Sequence, residues 1–323
     1  NPSGYNREEH ASEPGQGAEL RMASIVTVGS AVLDRVYAVT NLPEPDGGAF
    51  VTDETERAGG VAANVACALA TLDHEAAVIS RVGRDEAAEV ILESLAACDV
   101  DTSKVRRGDD PSSYTVILRG PDGDRMIVAG GDSVPGLALQ PADRPALRAA
   151  DVVFTSAYAP DSVVRDLLEK RADGEITALA FDLSGPVEEL VGRGTTPETI
   201  DAVRDHADLL VTNRVAARSH FDREPETAAR WLAASGLPKV AVTVGEDGAF
   251  LGTEGGLTAV EAAAGEVVDT TGAGDAFTAA LIHTWLLGDA EPGAAGRAAA
   301  VAAAKNCTAR GPRGALATRA DLP

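Results

Sequence analysis

Short β-branched runs alternate with longer stretches of helical periodicity along most of this chain, and that alternation constrains its fold more than any other feature. Candidate core strands lie at 24–28, 77–82, 152–155, 178–182, 209–212 and 240–244. Between and after them, apolar residues recur at helical spacing over 61–72, 86–97, 161–171, 197–206, 226–234, 273–287 and 293–307. Strand and helix in this order are the mark of βαβ units around a mostly parallel sheet, and hence of an α/β protein. Two regions break the rule. Residues 35–56 and 112–129 carry strand patterns without helices, the second as two strands around Pro121, Asp122, Gly123 and Asp124. Strand pairs without helices of their own need something to cover them.

In open α/β sheets, ligands gather beyond the carboxyl ends of the strands, and the chemically interesting residues fall there. Asp34 follows the first strand, Asp85 the second, Asn213 the strand ending at 212, and Gly245 the one ending at 244. Gly272, Ala273, Gly274 and Asp275 open a helix whose apolar face runs through Phe277, Ala280, Leu281, Trp285 and Leu286. Unpaired backbone N–H groups and the positive end of the helix dipole favour a phosphate at such a turn, and glycines let it approach closely. Asp275 then has two readings: a cap for the helix, or a general base beside an electrophilic phosphoryl group. Asp34, Gly59, Gly60 and Asn64 together suit a polyol, because a carboxylate and an amide bond vicinal hydroxyls while glycines admit the ligand. They read equally as a loop acid and a helix-turn residue. Thr243, Gly245 and Gly248 mark a tight turn that bares backbone N–H groups.

Charge narrows the partners. With 50 acidic residues against 28 basic ones, the formal charge is −22, and only four basic residues are lysines. That balance argues against nucleic acid. Dense carboxylates with few lysines suit a cytoplasm of high ionic strength, where salt screens self-repulsion, so the expectation is a halophilic protein that loses stability at low salt. Residues 1–21 are polar and lack periodicity, and are expected to be a disordered extension rather than a signal peptide. No run of about eighteen apolar residues is present to span a bilayer. The expected location is the cytoplasm. Cys67, Cys98 and Cys307 lie far apart in Ala-rich helical sequence and are expected to be small buried thiols. The five histidines show no metal-binding spacing.

Two stretches in order, AGGVAANVACALATLD at 58–73 and DTTGAGD at 269–275, resemble the N- and C-terminal signatures of the ribokinase-like (PfkB) carbohydrate kinases. Supporting matches are VGSAVLD ending at Asp34, VGRDEAAE at 82–89, TNRVA at 212–216 and TVGEDGAF at 243–250, so the resemblance covers 24–318. It implies a three-layer α/β/α core with a mostly parallel sheet in a single kinase domain over 22–323. A small β-sheet lid would be formed by segments at about 35–57 and 110–130, and the lid would also serve as a homodimer contact. The implied activity is transfer of the γ-phosphoryl group of ATP, with Mg²⁺, to a hydroxyl of a sugar or sugar-like acceptor. Asp275 would be the base, the Gly272–Asp275 turn the anion cradle, and Asp34, Gly59, Gly60 and Asn64 the acceptor site. Asn213, Thr243, Gly245, Gly248 and Asn306 would bind the nucleotide, and Asp269 and Thr271 would lie at a K⁺ site.

Two departures stand out. Ala88 replaces a usual glycine, and Ala216 stands where the family shows the glutamate of Asn-x-x-Glu, which puts the Mg²⁺ geometry in doubt. A nucleoside or ribose-phosphate kinase and a non-catalytic sugar- or nucleotide-binding regulatory relative are the alternatives. A phosphorylated acceptor would need cations near the sugar, for which the lid offers Arg35, Arg57, Arg119 and Arg125.

Overall fold

The computed structural model describes residues 21–323. The expected disordered extension therefore falls, apart from Arg21, outside the described residues. Thirteen strands form two sheets: β1 (Ser24–Val28), β2 (Val32–Val39), β3 (Val51–Gly59), β4 (Glu75–Val82), β5 (Val105–Arg107), β6 (Tyr114–Arg119), β7 (Arg125–Gly130), β8 (Val152–Ser156), β9 (Leu179–Leu183), β10 (Leu209–Asn213), β11 (Lys239–Thr243), β12 (Ala249–Thr253) and β13 (Gly256–Val260). The large sheet has nine strands in the order β13-β12-β11-β10-β9-β8-β1-β4-β5. It is parallel except where β11, β12 and β13 meet.

Both faces of this sheet are covered. Side chains alternate sides along each strand, so Val26, Val28, Val153, Leu179 and Phe181 enter one apolar cluster, while Ile25, Val152, Phe154 and Ala180 enter another. This explains why the core strands read as unbroken apolar runs. The helices packed on the site-bearing side are α1 (Val61–Thr71), α9 (Ala273–Leu281) and α10 (Pro292–Asn306), numbered in a chain order in which α2 is Glu86–Ala96, α3 Arg144–Ala149, α4 Asp161–Ala172, α5 Val187–Leu190, α6 Pro197–His206, α7 Arg214–Phe221 and α8 Pro225–Ala234. Val163, Leu167, Ile200, Val203, Ala228 and Leu232 close the opposite face.

Chain order reverses at β1, whose neighbours are β4 on one side and β8 on the other. A crevice at such a switch point is where α/β sheets bind ligands. The second sheet, β3-β2-β6-β7, rises beside it. It begins at Val32 and continues to Gly59, wider than the expected lid segment at both ends, because β2 and β3 pair without a break from Val32↔Gly59 to Ala38↔Asp53.

The expected helix at 273–287 changes character. Regular α-helix stops at Leu281 and a π-helical turn follows over Ile282–Leu287. There the buried His283 Nδ1 lies 2.8 Å from His74 Nε2, and Thr284 Oγ1 donates to the Ala280 carbonyl at 2.7 Å. Side chains that compete for backbone acceptors, or are pulled toward a partner, shift the register in this way. Cys67 and Cys307 are buried and Cys98 half-buried, with all three thiols free. Cys67 and Cys98 are nonetheless close enough for each thiol to perturb the other's titration, raising that of Cys67.

Candidate active site

Asp275 is not a cap. Helix α9 begins after Gly272, which has φ 76°, and no side chain caps it. A Cβ at Gly272 would collide with the Pro312 carbonyl oxygen, so both conformation and closeness demand glycine there. The Asp275 carboxylate turns instead toward α1 and accepts a 2.8 Å hydrogen bond from Asn64 Nδ2. Burial pushes its carboxyl up to about 7; the Asn64 bond and Arg313 work against that rise, while the charges of Asp182 and Asp34 add to it. Asp182, at the end of β9, is buried and held by Ser184 Oγ at 2.5 Å and Thr278 Oγ1 at 3.5 Å. Its own carboxyl rises to about 6, mainly through burial.

Asn64 is fixed from its other end. Arg313 Nε donates to Asn64 Oδ1 at 2.9 Å, and Arg313 Nη1 donates to Ser94 Oγ at 2.8 Å. This settles the amide orientation, with the NH₂ group toward Asp275. Sequence reasoning missed Arg313, Thr115 and Asp182. Arg313 sits in a Gly/Pro-rich loop that carries no periodicity, and its role depends on contacts 249 positions away.

Asp34 is the third residue of β2, inside the lid sheet, and not at the exit of the first strand as the sequence suggested. A sharp turn at Gly29 separates the two strands, and β2 pairs with β3 and β6, so the acid is carried by the lid itself. Thr115 Oγ1 donates to its Oδ1 at 2.6 Å. Burial raises the Asp34 carboxyl, against that hydrogen bond and the charge of Arg313. A Cβ on Gly59 would collide with this carboxylate, which explains the first glycine of the pair before α1.

Two cavities adjoin along Arg125, Val267 and Thr270, just before the Gly272–Asp275 turn. The larger, of about 930 Å³, is lined by Asn213, Thr243, Gly245, Gly248, Ala273, Gly274, Phe277, Ala300 and Ala304, among others. The smaller, of about 260 Å³, lies between the lid and the loops at 267–271 and 310–312 and contains Asp34, Arg57 and Asp269. Val267, Thr270 and Arg125 line both. Of the cradle amides, Ala273 N–H already donates to the Thr270 carbonyl at 3.2 Å, while those of Gly274 and Asp275 make no backbone hydrogen bond among the described residues. The open end of the cradle is therefore Gly274 and Asp275.

Asn213, expected at the nucleotide, caps α7 by accepting from Ala216 N–H at 2.9 Å, and also lines the large cavity. Ala216 itself is fully buried among Ala217, Ala228 and Ala229, so this position brings no acid to the cleft. Asn306 does not line that cavity; its Nδ2 donates to the Thr271 carbonyl at 2.9 Å, and its Oδ1 is buried without a partner. Asp269 accepts from Thr271 N–H, Thr271 Oγ1 and Gly311 N–H at 2.7–2.9 Å. Burial would raise its carboxyl, but these bonds outweigh it and hold Asp269 below the usual range. Asp85 caps α2, accepting from Ala88 N–H at 3.0 Å.

Comparison with known proteins decides the family. The pfkB family carbohydrate kinase model matches residues 22–319. The chain belongs to the PfkB carbohydrate kinases. The kinase is 31% identical over 278 residues to an ATP-dependent ribose-1-phosphate kinase of Halopiger xanaduensis, covering 84% of this chain and 88% of that one. It is 28% identical to the ribokinase of Bacillus subtilis over 93% of its own length and 98% of the relative's. Among solved structures, Arabidopsis thaliana ribokinase complexed with ribose and ATP superposes with a TM-score of 0.77 at 24% identity, covering 94% of this kinase and 96% of that chain. The three-layer architecture with a separate small sheet is the ribokinase fold. Among the described residues, no helix is long and apolar enough to cross a membrane.

Proposed function

We propose that this kinase transfers the γ-phosphoryl group of ATP to a hydroxyl of a sugar or sugar-like acceptor, with Asp275 as the general base. The observation that carries this reading is the position of Asp275: it stands in the first turn of α9 next to Gly274 of the large cavity, hydrogen-bonded to Asn64 and near enough to Asp34 of the small cavity to feel its charge. The large cavity takes the nucleotide, with Thr243, Gly245 and Gly248 at its phosphate end. The small cavity takes the acceptor, oriented by Asp34 on its wall and, toward Asp275, by Asn64. A carboxylate held near 7 is balanced between ionisation and basicity at neutral pH, which suits removal of a hydroxyl proton as the phosphoryl group arrives. The free N–H groups of Gly274 and Asp275, at the positive end of α9, supply fixed donors for the equatorial oxygens.

Mg²⁺ fits as a companion of the nucleotide. Among the described residues no group of three or more His, Cys, Asp or Glu gathers to hold a metal, and Mg²⁺ binds mainly through water and substrate phosphates. Bound there it would neutralise charge on the donor phosphates. A K⁺ ion fits near Asp269 and Thr271, because Asn306 Oδ1 is left buried and unpartnered beside the Thr271 carbonyl. The lid also presents the exposed apolar residues Phe50, Val51, Met126 and Val128, and covering them in a homodimer accounts for their exposure.

The Asp275→Asn variant tests the proposal. It is expected to lose turnover by about 10²- to 10⁴-fold, the range general-base catalysis supplies, while calorimetry shows ATP and acceptor still bound. Turnover within a few-fold of wild type would refute the role of Asp275. No turnover by the wild-type protein with any acceptor, despite ligand binding, would favour a regulatory relative and trace the loss to Ala216.

A further inference from the structure

Arginine supplies 24 of the 28 basic residues of this acidic chain, and most of the described ones are paired with a neighbouring carboxylate. Ion pairs engage Arg21, Arg35, Arg81, Arg84, Arg106 and Arg107, and ten further arginines of the core. Apart from Arg223, Arg297 and Arg313, the arginines that form no ion pair among the described residues are Arg57, Arg119, Arg125 and Arg310. All four line the small cavity.

Sheet register explains how they converge. Asp34 pairs with Arg57 on one side and Thr115 on the other, Ala38 with Asp53 and Arg119, and Arg119 with Arg125. Cross-strand partners share a face, and residues two or four apart along a strand share it too. Asp34, Arg57, Arg119 and Arg125 therefore project from one face of the lid, toward the 267–271 loop. Arg310 enters from the opposite wall, and its carbonyl accepts a hydrogen bond from Arg57 Nη1, which ties the lid to the C-terminal loop. Arg35, the remaining lid arginine, lies on the other face, where it pairs with Glu56 at 2.9 Å and stacks 5.0 Å from the Tyr114 ring centroid.

Four guanidinium groups around a cavity of 260 Å³, none in a direct ion pair among the described residues, repel one another and favour an anion between them. The three acids on its wall, Asp34, Asp53 and Asp269, offset part of this charge, Asp269 through its attraction to Arg119, but leave the arginines in excess and unpaired. Both carboxylate oxygens of Asp269 are taken by Thr271 and Gly311, Asp34 is bonded to Thr115, and Asp53 is exposed and unpaired with any of the four. A neutral sugar would leave that excess unmatched. Resting on the kinase reading above, we propose that the acceptor already carries a phosphate: it is a sugar phosphate whose free hydroxyl faces Asp275 and whose phosphate is held by Arg57, Arg119, Arg125 and Arg310. Reaction then joins the γ-phosphorus of ATP to the acceptor oxygen, breaks the bond to the β-bridging oxygen, and leaves the hydroxyl proton on Asp275, giving ADP and a sugar bisphosphate.

The test has two arms. Steady-state rates with ATP and Mg²⁺ in molar KCl are compared for ribose, ribose 1-phosphate and ribose 5-phosphate, for wild type and for Arg119→Gln and Arg125→Gln. Calorimetry without nucleotide measures binding of the same three compounds. The expected result is a kcat/KM at least a hundredfold higher for one sugar phosphate than for ribose. Each substitution should lower that preference by about 10- to 100-fold, the worth of a hydrogen bond to a charged group, with the melting temperature unchanged and, for Arg119→Gln, which lies outside the large cavity, KM for ATP unchanged as well. Equal use of ribose would overturn the proposal, as would a rise in KM for ATP alone, which would assign these arginines to the donor. If no acceptor turns over, the kinase reading fails separately. The phosphate site then stands if the sugar phosphate binds and the substitutions abolish binding, and it falls if neither sugar phosphate binds.

Discussion

Asp275 and Asn64 lie 211 positions apart in sequence and meet through a 2.8 Å hydrogen bond between α9 and α1. One amide thereby joins the proposed base to the proposed acceptor site, and Arg313 fixes its orientation from behind. The carboxylate gains a donor yet remains raised to about 7, so loss of water around it outweighs the bond.

A raised carboxyl has a stability consequence. The folded protein holds the Asp275 proton more tightly than the unfolded chain, in which the carboxyl titrates near 3.8. Its contribution is fully present below the unfolded value and is lost as pH rises through about 7. The neutral Asp275→Asn side chain avoids that loss. Its melting temperature should exceed wild type at pH 8 by on the order of 2 °C and by less at pH 5. A lower melting temperature at pH 8 would contradict this, and scanning calorimetry at the two pH values decides it.

The groups around Asp275 should move its titration in opposite directions. The negative charge of Asp182 raises the Asp275 carboxyl and the positive charge of Arg313 lowers it. In the pH dependence of kcat/KM, the basic form should gain activity as pH climbs through about 7 in wild type. That rise should shift to lower pH in Asp182→Asn and to higher pH in Arg313→Met. Arg313→Met should also raise the acceptor KM about tenfold, since Asn64 loses a charged partner. Shifts in the same direction, or none, would show that these neighbours do not tune the base.

Salt supplies an independent check. A formal charge of −22 destabilises the compact state by self-repulsion, which a Debye length of about 3 Å in molar salt suppresses. Thermal unfolding should move to higher temperature between low and molar KCl. An unchanged or lower melting temperature would remove the halophilic reading.

The lid face predicts an assembly. Val128→Asp places a charge among the exposed apolar side chains of β7. Light scattering should show wild type as a dimer and the variant as a monomer that retains its melting transition. A wild-type monomer at micromolar concentration would contradict the dimer.

Much of this was legible in sequence because two different periodicities report directly on local structure. The apolar runs at 24–28 and 209–212 gave strands whose two faces are both buried, and the turn before Phe277 gave the start of α9. Residue type together with the family resemblance singled out Asp275, Asn64 and Asp34, which the fold brings near one another. What stayed hidden depends on tertiary contact. Asp34 was placed at the end of a core strand because nothing local marks the turn that sends the chain into the lid. Asn306 looked like a cleft residue, whereas its amide is turned to the Thr271 carbonyl, a partner 35 positions away. The π-helical turn at Ile282–Leu287 coincides with His283 meeting His74, a contact 209 positions apart, and the unpaired arginines become meaningful only once the lid's register puts Arg57, Arg119 and Arg125 on one face.

The most direct measurement follows phosphorus. ³¹P NMR of wild-type protein with ATP, Mg²⁺ and the sugar or sugar phosphate panel should show a new phosphomonoester or bisphosphate resonance that grows with ADP in equal amount and requires the acceptor. Release of inorganic phosphate alone, independent of any acceptor, would contradict phosphoryl transfer to an acceptor hydroxyl at Asp275.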